Sequence, residues 1–181
     1  LAYERLLEKS PNAQKVVTLM QIAPPTRTGV RAYDDIREEL EQASGRINGR
    51  FAESNWVPIR YLNKGVARKP LMGFFRNAAV ALVTPVRDGM NLVAKEFVAA
   101  QDPDDPGMIV LSSLTGAAQE LTDAVLVNTY DRDEVADGIA TAISMSVEER
   151  RERHASMMAI LRKNDITAWR TRFVDALLNK K

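Results

Sequence analysis

Val80-Ala-Leu-Val-Thr-Pro-Val-Arg-Asp-Gly-Met-Asn-Leu-Val-Ala-Lys-Glu-Phe-Val-Ala-Ala-Gln101 changes its hydrophobic pattern half-way along. Residues 80–86 are almost continuously apolar and rich in valine, as a strand buried on both faces is. Pro85 cannot extend a central strand, and Gly89 permits a tight reversal. From about Asn91 the composition shifts toward good helix formers, which predicts a compact helix over 92–101. Strand, glycine-bearing loop and helix in that order make the first half of a βαβ unit, whose crossover keeps the sheet parallel.

The alternation continues in both directions. Upstream, residues 1–10 read as a helix and 15–22 as a buried strand bounded by Pro11-Asn12 and Pro24-Pro25. A charged amphipathic helix follows over 30–44, with a pattern that allows extension to Phe51. A second short strand covers 56–62, and a helix covers 70–77 with Pro70 early, where its missing N–H does least harm. Downstream come a strand at 108–112, a brief helix at 116–121 and a strand at 125–128. Three helices close the chain over 132–145, 146–163 and 165–178, with Ser146 and Asp165 placed as caps. The expected fold class is therefore α/β, a parallel sheet with helices on both faces and a helical C-terminal tail over 146–181. Residues 1–181 read as one lobe. The chain opens on Leu1, so we expect it to be a piece of a longer protein, with a further strand upstream.

Composition narrows the chemistry. The 181 residues carry 25 Lys+Arg against 24 Asp+Glu, a net charge of +1, which lacks the basic excess of a dedicated nucleic-acid binder. There is no cysteine, so disulfides, thiolate metal sites and cysteine nucleophiles are excluded. A single histidine, His154, is too few for a histidine-rich zinc site. No uncharged apolar run reaches the roughly 18 residues that cross a bilayer. We expect a cytoplasmic protein with no metal, cofactor, nucleic-acid or membrane partner, and a homo-oligomer.

In open parallel sheets ligands sit beyond the carboxyl ends of the strands, at loops leading into helix N-termini. The loop at 84–91 is the best such junction. Amides near Asn91, Leu92 and Val93 lack intrahelical partners and carry the positive end of the helix dipole, a seat for phosphate or pyrophosphate. Asp88 projects from the loop, where a carboxylate can accept from sugar hydroxyls. Glu96 follows Leu92 by one turn on the same face and suits a diol such as ribose. The same residues also suit a plain turn and a solvated helix charge. Neither GxGxxG nor a P-loop is present. Arg27, in Gln21-Ile-Ala-Pro-Pro-Thr-Arg27, could offer a planar fork to a phosphate, or simply be a surface arginine. Ser112-Ser-Leu-Thr-Gly-Ala-Ala-Gln-Glu120 is a further glycine-bearing turn, suited to a ligand contact or to structure alone. The stretch 148–154 reads as a solvated helix face, with His154 on it non-catalytic. Asp102, Asp104 and Asp105 lack the EF-hand spacing, and Trp56 and Trp169 read as packing residues.

Residues 82–101 resemble the signature of trehalose-6-phosphate synthases. Support extends through 17–27, Ala43-Ser-Gly-Arg-Ile-Asn-Gly49, 111–121, Asn128-Thr-Tyr-Asp-Arg-Asp-Glu-Val135 and Lys163-Asn-Asp165. The resemblance implies the Rossmann-like, donor-binding C-terminal lobe of a two-lobed GT-B glycosyltransferase. That family is retaining and transfers glucose from UDP-glucose to glucose 6-phosphate in trehalose biosynthesis. It implies that Leu92, Val93, Ala94, Lys95 and Glu96 line the UDP-glucose site, with amides on the diphosphate and Glu96 on the ribose. Asp88, Gly89, Met90 and Asn91 would contact the transferred glucose, Asp88 orienting it without a protein nucleophile. Val66 would face the uracil through its backbone, with Ile22 nearby, and Arg27 would hold the phosphate of glucose 6-phosphate. Val66 departs from the aromatic residue common in the family. The family's basic pair for the diphosphate and its N-terminal lobe are not in this sequence, so the chain by itself is expected to transfer nothing. A sister transferase with another acceptor (glucosylglycerol-phosphate synthase) and a non-catalytic sugar-nucleotide sensor are the alternative readings.

Overall fold

The computed structural model describes residues 1–25 and 31–178, and the chain divides into two units, Leu1–Leu71 and Met72–Lys181. In the first, helix α1 (Ala2–Lys9) leads through a 3-10 turn at Pro11–Ala13 to strand β1 (Leu19–Ile22). Helix α2 (Arg31–Phe51) then returns the chain to strand β2 (Ile59–Leu62), which pairs with β1 in parallel, Leu19 opposite Ile59 and Ile22 opposite Leu62. Both strands are shorter than the sequence pattern predicts. Lys15 sits at φ 68, in the left-handed region, so an extended backbone cannot begin before it. Trp56 is held in a turn, its amide and carbonyl both bonded to Glu53. The backbone of Ile59 is bound instead by Asn48, whose Oδ1 accepts from its N–H at 2.9 Å and whose Nδ2 donates to its carbonyl at 3.0 Å.

Tyr3, Leu6 and Leu7 of α1, Ile47 of α2 and Ile59 of β2 are buried. The Tyr3 hydroxyl donates to the Val17 carbonyl at 2.7 Å, and burial pushes it up to about 12. Glu4 is buried beside them and accepts from the Arg46 guanidinium, at 2.8 Å through Oε2, and from Arg50 at 3.3 Å. The Arg46 hydrogen bonds hold its carboxyl below the usual carboxylate range against the opposing effect of burial. A depressed folded-state pKa contributes stability above the unfolded value of about 4.3 that is lost as pH falls through the lower folded value. We therefore expect Glu4→Gln to cost about 1 kcal/mol at pH 7 and progressively less below pH 4. Urea unfolding of both proteins at each pH checks this; an equal penalty throughout would assign the loss to packing.

Helix α3 (Arg68–Asn77) precedes a three-stranded parallel sheet in the order β3 (Val80–Val83), β4 (Met108–Ser112), β5 (Val125–Val127). Val80 lies opposite Met108, and Val110 opposite Val125. Strand alternation sends Ile109 and Leu111 into a cluster with Ala94, Phe97 and Val98 of α4 (Leu92–Ala100) and Met157 of α6 (Val147–Lys163). Val110 points the other way, toward Gly138 of α5 (Arg132–Ser144). A Cβ on Gly138 would stand 2.7 Å from Val127 and 3.4 Å from Val110, so the helix lies close on the sheet there. With helices on both faces, all five β4 residues are buried, Met108 to Leu111 as their apolar run predicts and the polar Ser112 with them.

The caps expected at Ser146 and Asp165 form: Ser146 accepts from Glu149 N–H at 3.2 Å and Asp165 from Ala168 N–H at 2.8 Å. They open α6 and α7 (Ile166–Leu178). His154 departs from the solvated face predicted for it. It is buried, with Nε2 3.1 Å from the Val98 carbonyl, because α6 turns that edge toward α4. Trp56 is buried as expected, whereas Trp169 is 43% exposed and stacks on Phe173 at 5.2 Å. No helix among the described residues is long and apolar enough to cross a membrane.

Candidate functional site

The loop from Val83 to Leu92 leaves the carboxyl end of β3 and delivers the chain into α4. Asn91 makes that entry possible. It adopts φ 50, ψ 80, and its Oδ1 accepts from the Ala94 N–H at 2.9 Å, the arrangement of an N-cap. Its Nδ2 donates to Asp88 Oδ2 at 2.7 Å, so one side chain fixes both the helix start and the loop carboxylate. Asparagine tolerates left-handed backbone better than most residues. The turn therefore depends on Asn91 and not on Gly89, whose φ lies outside that region.

The cap sorts the first-turn amides. Asn91 is the capping residue, and the Ala94 amide is taken by its side chain. Ala94 itself is fully buried against the core, so it packs the helix down and offers no free group to a ligand. Leu92 and Val93 keep amides without a partner among the described residues, at the positive end of the helix dipole. Their side chains and that of Met90 are exposed, at 60%, 50% and 45%. Asp88 is exposed and retains its second carboxylate oxygen. Glu96 is half-buried one turn beyond Leu92. Nothing described lies within 4 Å of a Cβ built on Gly89, which leaves open space beside Asp88 and Met90.

A second loop braces the first. Thr115 pairs with Asp88 in a parallel bridge, and the Gly116 N–H donates to the Gly89 carbonyl at 2.7 Å. A Cβ on Gly116 would stand 2.1 Å from that carbonyl oxygen, so the approach requires glycine. The Thr115 hydroxyl donates to the Ser112 carbonyl at 3.0 Å and accepts from the Ala118 N–H at 3.3 Å, opening a 3-10 turn at Gly116–Gln119. The sequence flags 112–120 only as a glycine-bearing turn. Its bracing role depends on a backbone contact that no local pattern records, although Thr-Gly after a strand is the signal that was available.

Lys95 turns its ammonium to Glu120, 2.9 Å away. Burial pushes the Glu120 carboxyl up, but hydrogen bonds from Lys95 and Asn164 outweigh it and hold the group below the usual carboxylate range. Ile22 ends β1, and Val66 lies in the loop after β2, so both half-buried residues stand at the carboxyl edge of their own sheet. Arg27 lies outside the described residues. Asp102 and Asp105 pair with Arg76 and Arg150, at 2.6 and 2.7 Å, and no cluster of three metal-ligating side chains occurs among the described residues. The arrangement offers an anion seat of paired amides, flanked by one carboxylate on the loop and another on the helix.

Relatives carry the same architecture. A trehalose-6-phosphate synthase of Klebsiella pneumoniae is 57% identical over 177 residues, which span 98% of this chain but 37% of the relative. A Burkholderia xenovorans alpha,alpha-trehalose-phosphate synthase (UDP-forming), solved in complex with glucose-6-phosphate, superposes with a TM-score of 0.95 at 53% identity. It is covered over 39% of its length by 98% of this chain. An E. coli structure bound with UDP-2-fluoro glucose matches with a TM-score of 0.96 at 53% identity, over 99% of this chain and 40% of its own. The model of glycosyltransferase family 20 matches residues 1–179. With the strand–loop–helix junction in place and the match running through all but the last two residues, the chain belongs to glycosyltransferase family 20.

Proposed function

We propose that this chain is the donor-binding lobe of a retaining glucosyltransferase of the GT-B type. The complete protein transfers glucose from UDP-glucose to glucose 6-phosphate, giving trehalose 6-phosphate and UDP. The observation that carries the reading is the pair of unpartnered amides at Leu92 and Val93, opening beyond the carboxyl end of a parallel strand. Helix N-termini of this kind suit a diphosphate. The relatives, a trehalose-6-phosphate synthase and structures in complex with glucose-6-phosphate and with UDP-2-fluoro glucose, support the same substrates.

In this mechanism the acceptor hydroxyl attacks the anomeric carbon from the face the diphosphate leaves. The bond to the β-phosphate breaks, and that phosphate takes the hydroxyl proton. The protein contributes position and charge stabilisation. Leu92 and Val93 share the leaving-group charge, Asp88 orients the glucose within a loop held by Asn91, and Glu96 accepts from the ribose hydroxyls. By the resemblance, Ile22 and Val66 take the uracil and Arg27 the acceptor phosphate. Basic residues and an acceptor lobe from the remainder of the protein complete the reaction, so this chain alone binds donor weakly and transfers nothing. We place the protein in the cytoplasm, as a homo-oligomer.

In the complete protein, Glu96→Ala should raise the KM for UDP-glucose about tenfold, the loss of a charge-assisted pair of hydrogen bonds. Arg27→Ala should act mainly on glucose 6-phosphate. Initial rates with each substrate varied in turn provide the check. If each variant shifted both substrates equally, the assignment of the two residues to different ligands would be wrong.

A further inference from the structure

We infer that Glu120 is a positioning residue for the donor helix, holding α4 in the rotation that presents its first-turn amides and Glu96; the inference rests on the donor-site reading above. Its two carboxylate oxygens do different things. Oε1 accepts from the Lys95 ammonium at 2.9 Å, and Oε2 accepts from the Asn164 side-chain amide at 3.1 Å. Lys95 lies on α4 between Ala94 and Glu96, while Asn164 is the C-cap of α6, at the corner before α7. Glu120 therefore ties the ligand helix to a corner formed far along the chain.

Apolar packing sets which face of α4 is buried, and the ion pair adds a directed contact to it. Ala94, Phe97 and Val98 share the buried cluster with Ala117, Ala118 and Leu121 of the bracing turn and with Met157 of α6. Such contacts hold α4 against the sheet but are non-directional. A directed ion pair at Lys95 is not. Successive residues lie about 100° apart around a helix, so pinning Lys95 sets the direction in which the neighbouring Glu96 leaves the helix. The Lys95 side chain is 18% exposed and that of Glu120 31%, which shields the pair from much of the screening that weakens a surface bridge.

The position of Glu120 explains why it can do this. The turn that ends at Glu120 begins at Gly116, whose N–H is bonded to the Gly89 carbonyl of the ligand loop. One short segment thus grips the loop at its start and the helix at its end, setting the two halves of the site against each other. Asn164 anchors the other carboxylate oxygen, so that Lys95 meets a fixed partner.

The test is donor binding by the complete protein, measured by calorimetric titration with UDP-glucose and by steady-state rates. Glu120→Ala should weaken UDP-glucose about fivefold in both Kd and KM, with the KM for glucose 6-phosphate within twofold of wild type. Glu120→Gln keeps an acceptor for Lys95 and should restore most of the affinity. Glu120→Asp keeps the charge but is too short to span Lys95 and Asn164 together; it should cost about threefold, and it carries the test if the alanine variant fails to fold. Unchanged donor affinity in Glu120→Ala or Glu120→Asp, or equal losses for both substrates, would overturn the inference and leave the donor-site reading standing. A wild-type protein that does not bind UDP-glucose would remove that reading, and this inference with it.

Discussion

Gly116→Ala is expected to cost about 3 kcal/mol of stability, near the upper end of overpacking penalties, and to abolish measurable UDP-glucose binding. The added Cβ would stand 2.1 Å from the Gly89 carbonyl oxygen and 3.0 Å from its carbon. Both atoms are backbone, so no flexible side-chain end can swing away. The loop over 84–91 has to retreat, and the hydrogen bond from Gly116 to Gly89 and the bridge between Asp88 and Thr115 separate together. Thermal unfolding should show a midpoint lowered by about 6–12 °C. A variant with wild-type melting and wild-type donor affinity would show that the two loops are not mechanically joined.

Gly89→Ala should behave in the opposite way. A Cβ at Gly89 meets nothing within 4 Å, and its φ is one that alanine can adopt. The melting midpoint should therefore stay within about 2 °C of wild type. Donor affinity should nonetheless fall by about tenfold or more, because the new methyl enters the space beside Asp88 that the proposal assigns to the transferred glucose. Fluorescence or calorimetric titration with UDP-glucose reads this directly. Unchanged affinity would mean that no sugar approaches the backbone at Gly89. The two substitutions share chemistry and sit in contacting loops, so their divergence separates internal packing from ligand space.

Much of this architecture was legible in the chain of residues. Apolar runs over 80–86 and at the start of 108–112 marked parallel strands, because a strand covered on both faces takes apolar side chains at successive positions; the first of them ends at Val83, short of the apolar run. Ser146 and Asp165 were identifiable as caps because capping is a contact over three residues. The candidate site was proposed from the same local grammar, since a strand that ends in a glycine-bearing loop before a helix places free amides at a sheet's carboxyl edge.

Where the pattern ran too long, a single residue's backbone or partner cut it short. Lys15 at φ 68 and the Glu53–Trp56 turn delayed both strands of the first sheet, and neither is encoded in hydrophobicity. His154 looked solvated amid its charged neighbours, yet the helix carries it against the Val98 carbonyl.

By itself the sequence determined the alternation of elements, the parallel sense of the strands and the loop that leads into α4, because periodicity, capping and turn chemistry act over a few residues. Tertiary structure alone decided which glycine is obligatory, which amides stay free and what Lys95 faces. Those outcomes depend on backbone and charge brought together from separate loops: Gly116 on Gly89, Asn164 and Lys95 on Glu120. Such contacts exist only once the sheet has set the distance between its crossovers.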